Sequence, residues 1–381
     1  MAKLADIIVD HSCKIQPGEK VFIGLTNIPP DMACLLINKI GERGGMPFIQ
    51  LGNPRISKAM YNYASPEQMS ILARRDLAFA KEMDHFISLV AEDNLFEFSD
   101  VPEDNMKIVL SNWSRPVCEY IDSTGKWVFL RWPTPAMAQF AGMSAEAFED
   151  YFFDVCTLDY EKMTRAGAPL MDRLSNTDIV RIKGVRDTDI EFSVQGIPVG
   201  LSAGERNIPD GEVFTAPIKE SVNGVINFNT RSVYNGKCFE DIRLVFKNGK
   251  IIEAVSSDTS TLNDILDTDS GSRYIGEFAF GINPHIKRAM QDSLFDEKIS
   301  GSIHLTPGQS LNEANNGNSS GIHWDMVMIQ TPEYGGGEIY FDGELIRKNG
   351  LFVSEYLHCL NPESLLCSEA SDAERVLCDA A

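Results

Sequence analysis

The chain is short of histidine, of paired cysteines and of positive charge, and each shortage narrows what it can do. Its 381 residues carry 34 Lys and Arg against 55 Asp and Glu, for a formal net charge of -21. Without a basic surface to displace counterions, neither nucleic acid nor an anionic membrane is an expected partner. No run approaches the ~18 consecutive apolar residues of a membrane span. Met1-Ala2-Lys3-Leu4-Ala5-Asp6 also lacks the apolar core of a secretory signal. The eight cysteines, Cys13, Cys34, Cys118, Cys156, Cys238, Cys359, Cys367 and Cys378, are scattered. No Cys-x-x-Cys occurs, so there is no sign of a zinc knuckle or a thioredoxin-like site, and free cysteines fit a reducing cytoplasm. GxGxxG, P-loop, GxSxG and HExxH patterns are missing as well. Nucleotide cofactors and the commonest serine-hydrolase and single-zinc schemes therefore lack support. An acidic chain suits a cationic partner, such as a metal ion or a free amine, though acidity also serves plain solubility.

What is present is an ordinary globular composition, 43% hydrophobic and 23% charged, with enough apolar residues for a sizeable core. At ~100–200 residues per domain, two domains are expected. The first half alternates apolar strands (20–25, 47–51, 85–90, 126–131) with helices (29–43, 144–159, 160–174). That pattern implies an α/β domain built on a mostly parallel sheet, over residues 1–178. Strand patterns at 179–184 and 189–195 open a different texture. Asn248-Gly249 and Asp342-Gly343 each sit between two apolar runs, which is a two-residue hairpin signal. Residues 179–351 are thus expected to form an α+β domain rich in antiparallel strands. Residues 352–381 read as a tail with three cysteines and no assigned role.

The residues with chemistry lie in that second half. In Gly321-Ile322-His323-Trp324-Asp325-Met326-Val327-Met328 an imidazole and a carboxylate stand two apart in a strand-like run. Side chains at i and i+2 share a face. Burial alone would not select both there, because each is costly inside unless paired or coordinated. His304 lies in a short apolar strand that runs into Pro307-Gly308. Glu277 interrupts the apolar strand 274–281, and Glu212 follows Pro209-Asp210-Gly211. His11 and His85 read as ordinary surface or edge histidines, and His285 as a turn residue. Taken singly, each glutamate has a bland reading as a solvent-facing or ion-paired residue. Taken together, Glu212, Glu277, His304, His323 and Asp325 make a mixed oxygen and nitrogen set that suits zinc, cobalt or manganese. Five ligands exceed one tetrahedral site. With one carboxylate bridging, they would hold two ions ~3.5–4 Å apart.

At these residues the sequence resembles the aminopeptidase T family of metalloaminopeptidases. Asn207 to Pro217 is similar to that family's asparagine-x-proline segment with its metal-binding glutamate, here Glu212. Gly276-Glu277, His304 with its glycine turn, and Ile322 to Val327 with the His-x-Asp ligands follow in the same order. Pro17 to Ile23 resembles the family's start, so the likeness spans roughly residues 1–350. The resemblance implies an N-terminal α/β domain, a C-terminal metal-binding domain and a homodimer. It also implies two zinc- or cobalt-like ions and release of N-terminal amino acids from peptides with a free N-terminus. Glu277 is read as the bridging, catalytic carboxylate and as a proton shuttle. One position departs: the family tyrosine shortly after the first histidine is matched by Leu311, which has no hydroxyl for an oxyanion. Loss of one such donor costs ~100–1000-fold in rate. Glu297 aligns loosely as a further site glutamate, against a surface helix-end role. The alternatives are a mononuclear Fe(II) dioxygenase of the dihydroxypyridine type, using His304, His323 and Asp325, and a catalytically degenerate metal-binding homologue.

Overall fold

The computed structural model describes residues 1–234 and 236–367. The chain forms two compact units: residues 1–158 with 204–209, and 159–203 with 210–381. The sequence pattern puts the first boundary at 178. The helix Tyr160–Ser175 instead belongs to the second unit, because its apolar stripe is buried there. On that stripe Gly167 leaves room for Leu201, while Cys359 donates to the Ala166 carbonyl.

In the first unit five strands form one sheet, in the order 46–52, 20–26, 85–90, 127–131, 207–208, and every pairing is parallel. The strands expected here are present, with ends shifted by a residue or so. Helices begin where capping chemistry predicts. Asn53, Ser65, Thr134 and Ser144 each accept a backbone N–H of the first turn. Met32, Leu36 and Ile40, at helical spacing, are the buried face of Pro30–Glu42. His85 is not a surface residue: it is buried, and its Nε2 lies 3.0 Å from Glu19 Oε2.

The second unit holds two larger antiparallel sheets. One has eight strands and includes both expected hairpins, Arg243–Lys247 with Lys250–Val255 and Glu338–Phe341 with Glu344–Lys348. Asn248-Gly249 and Asp342-Gly343 all take positive φ, as a type I′ turn requires. The other sheet has five strands in the order Met326–Ile329, Ser302–Pro307, Ile275–Gly281, Glu212–Thr215, Gly200–Ser202. Between the sheets lies an aromatic core. Phe278 packs edge-on to Phe192 at 5.1 Å, and Phe280 to Phe341 at 6.0 Å. That core takes one face of the five-stranded sheet and leaves the other for polar chemistry. The start of the expected tail is folded: Glu355–Leu360 and Pro362–Leu366 are short helices, and Lys162 Nζ donates to the Ser364 and Cys367 carbonyls. Cys378 and the rest of that segment lie outside the described residues. Among the described residues no helix is long and apolar enough to cross a membrane.

Candidate metal centre

Strand alternation determines which side chains meet. Phe278 and Phe280 point into the aromatic core, so Glu277, Ala279 and Gly281 point to the opposite face. Register carries that face across the sheet. Thr306 pairs with Glu277, His304 with Ala279, Phe214 with Ala279, and Glu212 with Gly281. On the next strand His304 pairs with Val327, so Asp325, two residues earlier, falls on the same side. Four elements thus place Glu212, Glu277, His304 and Asp325 on one face.

One expectation about backbone needs correction. His323 and Asp325 precede the strand, which begins at Met326; His323 makes only an isolated bridge to Gly308. The backbone there is held by pairing to the Pro307–Gln309 turn rather than by a full ladder, since Gln309 N donates to Ile322 O and Trp324 N to Pro307 O. The two side chains still meet, with Nε2 of His323 3.4 Å from Oδ1 of Asp325. Trp324, between them, faces the other way, stacked on Tyr234 at 4.7 Å with its Nε1 donating to Ser232.

Glu277 joins two groups. Its Oε1 is 3.5 Å from His304 Nε2, and its Oε2 is 3.4 Å from His323 Nε2. Glu212 Oε2 lies 3.6 Å from the same His304 nitrogen. Glu212, Glu277 and His304 offer ligand atoms within 4.8 Å of one another, and so do Glu277, His323 and Asp325. Orientation is set from behind. His323 Nδ1 donates to the Gln309 carbonyl at 2.8 Å, which turns Nε2 toward the carboxylates. Thr306 Oγ1 donates to Asp325 Oδ1 at 2.6 Å. Glu212 Oε2 and His304 Nδ1 are buried with no hydrogen-bond partner. An orphaned carboxylate oxygen in a dry site is costly unless a cation takes it, and the donor set is the hard and borderline mixture that divalent ions prefer. The residues therefore fit a divalent metal. Glu277 and His304 are buried, whereas the His323 side chain is 34% exposed and marks the open side.

The charges are strongly coupled. Burial pushes the Glu277 carboxyl up, but hydrogen bonds and charge from His304 and His323 outweigh it and bring it down to about 2. Burial lowers His304, yet Glu277 and the other carboxylates carry it up to about 9. His323 is raised well above its ordinary value in the same way, against burial, by Asp325 and Glu277. Asp325 is lowered by His323 despite burial. Each imidazole is thus drawn toward its cationic form by the carboxylates. A divalent ion held by those oxygens would supply the same compensation and would leave the imidazoles neutral.

Three residues that no sequence pattern singled out complete the centre. Lys298 is 1% exposed, and its Nζ lies 2.6 Å from Glu212 Oε1, 2.9 Å from Glu297 Oε1 and 3.6 Å from Asp210 Oδ1. Asp210 is fully buried, and Thr306 anchors Asp325. Glu297 ends the short helix Ser293–Asp296, as expected, but it is not a surface residue: burial pushes its carboxyl up to about 8. The backbone of residues 297–299 lies close against the strand Ile275–Gly281, and Gly281 permits that approach. A Cβ there would sit 2.3 Å from the Ile299 carbonyl oxygen and 2.9 Å from that of Glu297, so only glycine lets that backbone lie on the sheet. Leu311 packs with Phe214, Ala279 and Ala314, on the same face as Glu277.

Known proteins agree with this architecture. A family model described as thermophilic metalloprotease (M29) matches residues 1–352. Aminopeptidase 2 of Geobacillus stearothermophilus is 27% identical over 352 residues, covering 81% of this chain and 83% of that protein. Aminopeptidase T of Thermus thermophilus is 33% identical over 154 residues, 36% of this chain and 37% of that one. In three dimensions the chain is similar to wild-type AmpT from Thermus thermophilus, with TM-score 0.75 and 20% identity over 93% of this chain and 98% of that one. The fold is also similar to 2,5-dihydroxypyridine dioxygenase from Pseudomonas putida KT2440, with TM-score 0.61 and 13% identity over 93% and 98% of the two chains. With the match running through both units, the chain belongs to the thermophilic metalloprotease (M29) family and is a peptide hydrolase that depends on a divalent metal.

Proposed function

We propose that this protein is a two-metal aminopeptidase that releases the first residue of peptides with a free N-terminus. The observation that carries the reading is Glu277, whose two oxygens face two different ligand groups. Glu212, Glu277 and His304 would hold one ion, and Glu277, His323 and Asp325 the other. Divalent cations bound there, zinc, cobalt or manganese, provide hydroxide near neutral pH and polarise the scissile carbonyl. Charge supports two ions rather than one. Asp210, Glu212, Glu277 and Asp325 are four carboxylates set against the ammonium of Lys298, while burial holds Glu297 toward its neutral form. With neutral imidazoles, a single dication would still leave net negative charge buried without compensation.

Glu277 would bridge the two ions, and the open side at His323 would admit the substrate amine. Glu297 is buried, belongs to neither ligand group and carries a carboxyl raised to about 8 by burial, so it suits a proton relay to the departing amine. A single-ion iron site built on His304, His323 and Asp325 is less favoured, because the two histidines fall in different groups, linked only through Glu277. A homodimer in the cytoplasm completes the reading, from the family resemblance and the scattered free cysteines; light scattering tests the dimer. The deciding experiment is elemental analysis of protein purified without chelators, combined with hydrolysis of aminoacyl-anilides after loading with Zn(II), Co(II) or Mn(II). Two ions per chain and turnover are expected. One iron with oxygen uptake, or no turnover with any metal, overturns the proposal.

A further inference from the structure

Lys298 is a buried cation that the reaction scheme leaves without a role. Long ammonium side chains are rarely fully buried, and among the described residues the desolvation cost of this one is met by three carboxylates drawn from two segments of the chain. Asp210 and Glu212 come from one side of the sheet, and Glu297 from the segment that crosses over Gly281. The contacts are selective at the level of single atoms. Lys298 takes Oε1 of Glu212 at 2.6 Å, while Oε2 of the same carboxylate, buried and without a hydrogen-bond partner, is turned to His304. Glu297, next to Lys298 in sequence, gives its Oε1 to the same ammonium at 2.9 Å. Although buried beside Glu212, Asp325 and His304 and close enough to feel their charge, it joins neither ligand group.

We propose that Lys298 is the positioning residue of the centre: its ammonium makes Glu212 a one-oxygen ligand and keeps Glu297 out of the metal coordination. This rests on the two-ion reading above. A carboxylate with one oxygen held by a fixed cation presents a single lone-pair direction to a metal. The same carboxylate released would close both oxygens on the ion and use the coordination position that a substrate needs. Glu297, released, is a further hard oxygen ligand beside the same ion. Partners that orient ligating carboxylates tune metal affinity about 10–100-fold in comparable sites.

The full chain, stripped of metal, is titrated with Co(II) by calorimetry and by visible absorption, whose intensity and position report coordination number. Wild type is expected to take two cobalt ions. Lys298→Met is expected to take two as well, with one of the two affinities changed by about 10–100-fold and an altered band for that ion only. Lys298→Gln, which keeps an N–H donor of similar length, is expected to restore most of the wild-type spectrum. A loss of packing alone would leave the spectrum of the bound ions unchanged. A crystal structure of cobalt-loaded wild type needs no variant to fold: Glu212 bound to metal through Oε2 alone, with Oε1 on Lys298 and Glu297 off the metal, is the expected result. Bidentate Glu212, a metal-bound Glu297, or identical affinities and spectra in wild type and Lys298→Met overturn the assignment. Binding of fewer than two cobalt ions by wild type defeats the two-ion reading instead.

Discussion

Glu277 and Leu311 are the residues on which the chemistry turns. Glu277→Ala removes both oxygens of the proposed bridge at once, and the variant is expected to retain no more than one ion per chain by elemental analysis; two retained ions would refute the bridge. Leu311 poses the opposite question. It lies on the metal face, against Phe214 and Ala279, with no hydroxyl to offer an oxyanion. Leu311→Tyr is expected to raise kcat on an aminoacyl-anilide, by up to the ~100–1000-fold that one oxyanion donor is worth; an unchanged kcat means that another group already fills the role. His-x-Asp was legible from the sequence because an imidazole and a carboxylate at strand spacing in an apolar run are stable there only when something pairs or coordinates them. Lys298 was not legible, since a lysine after Asp296-Glu297 looks like a solvated helix end until its three carboxylate partners are brought to it.

Elements set where those residues meet, and two tethers do most of it. Gly281 lets the 297–299 backbone cross the sheet. Gly281→Ala is expected to destabilise the protein by about 1–3 kcal/mol, as overpacking does, with a lowered melting temperature and weakened loading of the ion held by Glu212. The second tether is Asp269. Its carboxylate accepts from Gly271 N, Ser272 N and Oγ, Ser320 Oγ and Gly321 N, fastening the segment that leads into His323. Burial raises this carboxyl, but those backbone and hydroxyl donors outweigh it and bring it to about 2, below its ordinary 3.8. A carboxylate lowered on folding stabilises fully above its ordinary value and loses that contribution as pH falls toward its folded value. Hydrogen exchange at Gly321 is therefore expected to stay slow at pH 5 and to quicken between about pH 4 and pH 2, a transition that Asp269→Asn removes; exchange at Gly321 that is pH-independent after correction for intrinsic rates would disprove the tether. The sequence pattern places most of the strands, yet it extends the strand Met326–Ile329 back through His323. An apolar run with alternating faces does not reveal that its first residues pair with a turn rather than with a ladder.

At the scale of the molecule, every proposed ligand lies in the second compact unit. Cation binding should stabilise that unit alone. A ligand at 100 times its Kd adds about 2.7 kcal/mol, so chelation is expected to lower the protection of the second unit's strands in hydrogen exchange and to leave the parallel sheet of the first unit unchanged. Equal loss in both units would contradict a centre confined to the second. The aromatic core between the two sheets accounts for the free metal face: Phe278 and Phe280 satisfy one side of their strand, so Glu277 and Ala279 are left for the other.

By itself the sequence determined the kinds of element, the parallel character of the first half and the antiparallel character of the second, both hairpin turns and the five candidate ligands. These are local properties, written in periodicity, turn chemistry and residue type within short windows. Only the tertiary structure decided that helix Tyr160–Ser175 joins the second unit, that Glu277 turns one oxygen toward each histidine, and that Lys298 is buried among the carboxylates of the centre. Those outcomes depend on which strand edges pair and which backbones can approach, and such long-range contacts leave no mark on the spacing of neighbouring residues.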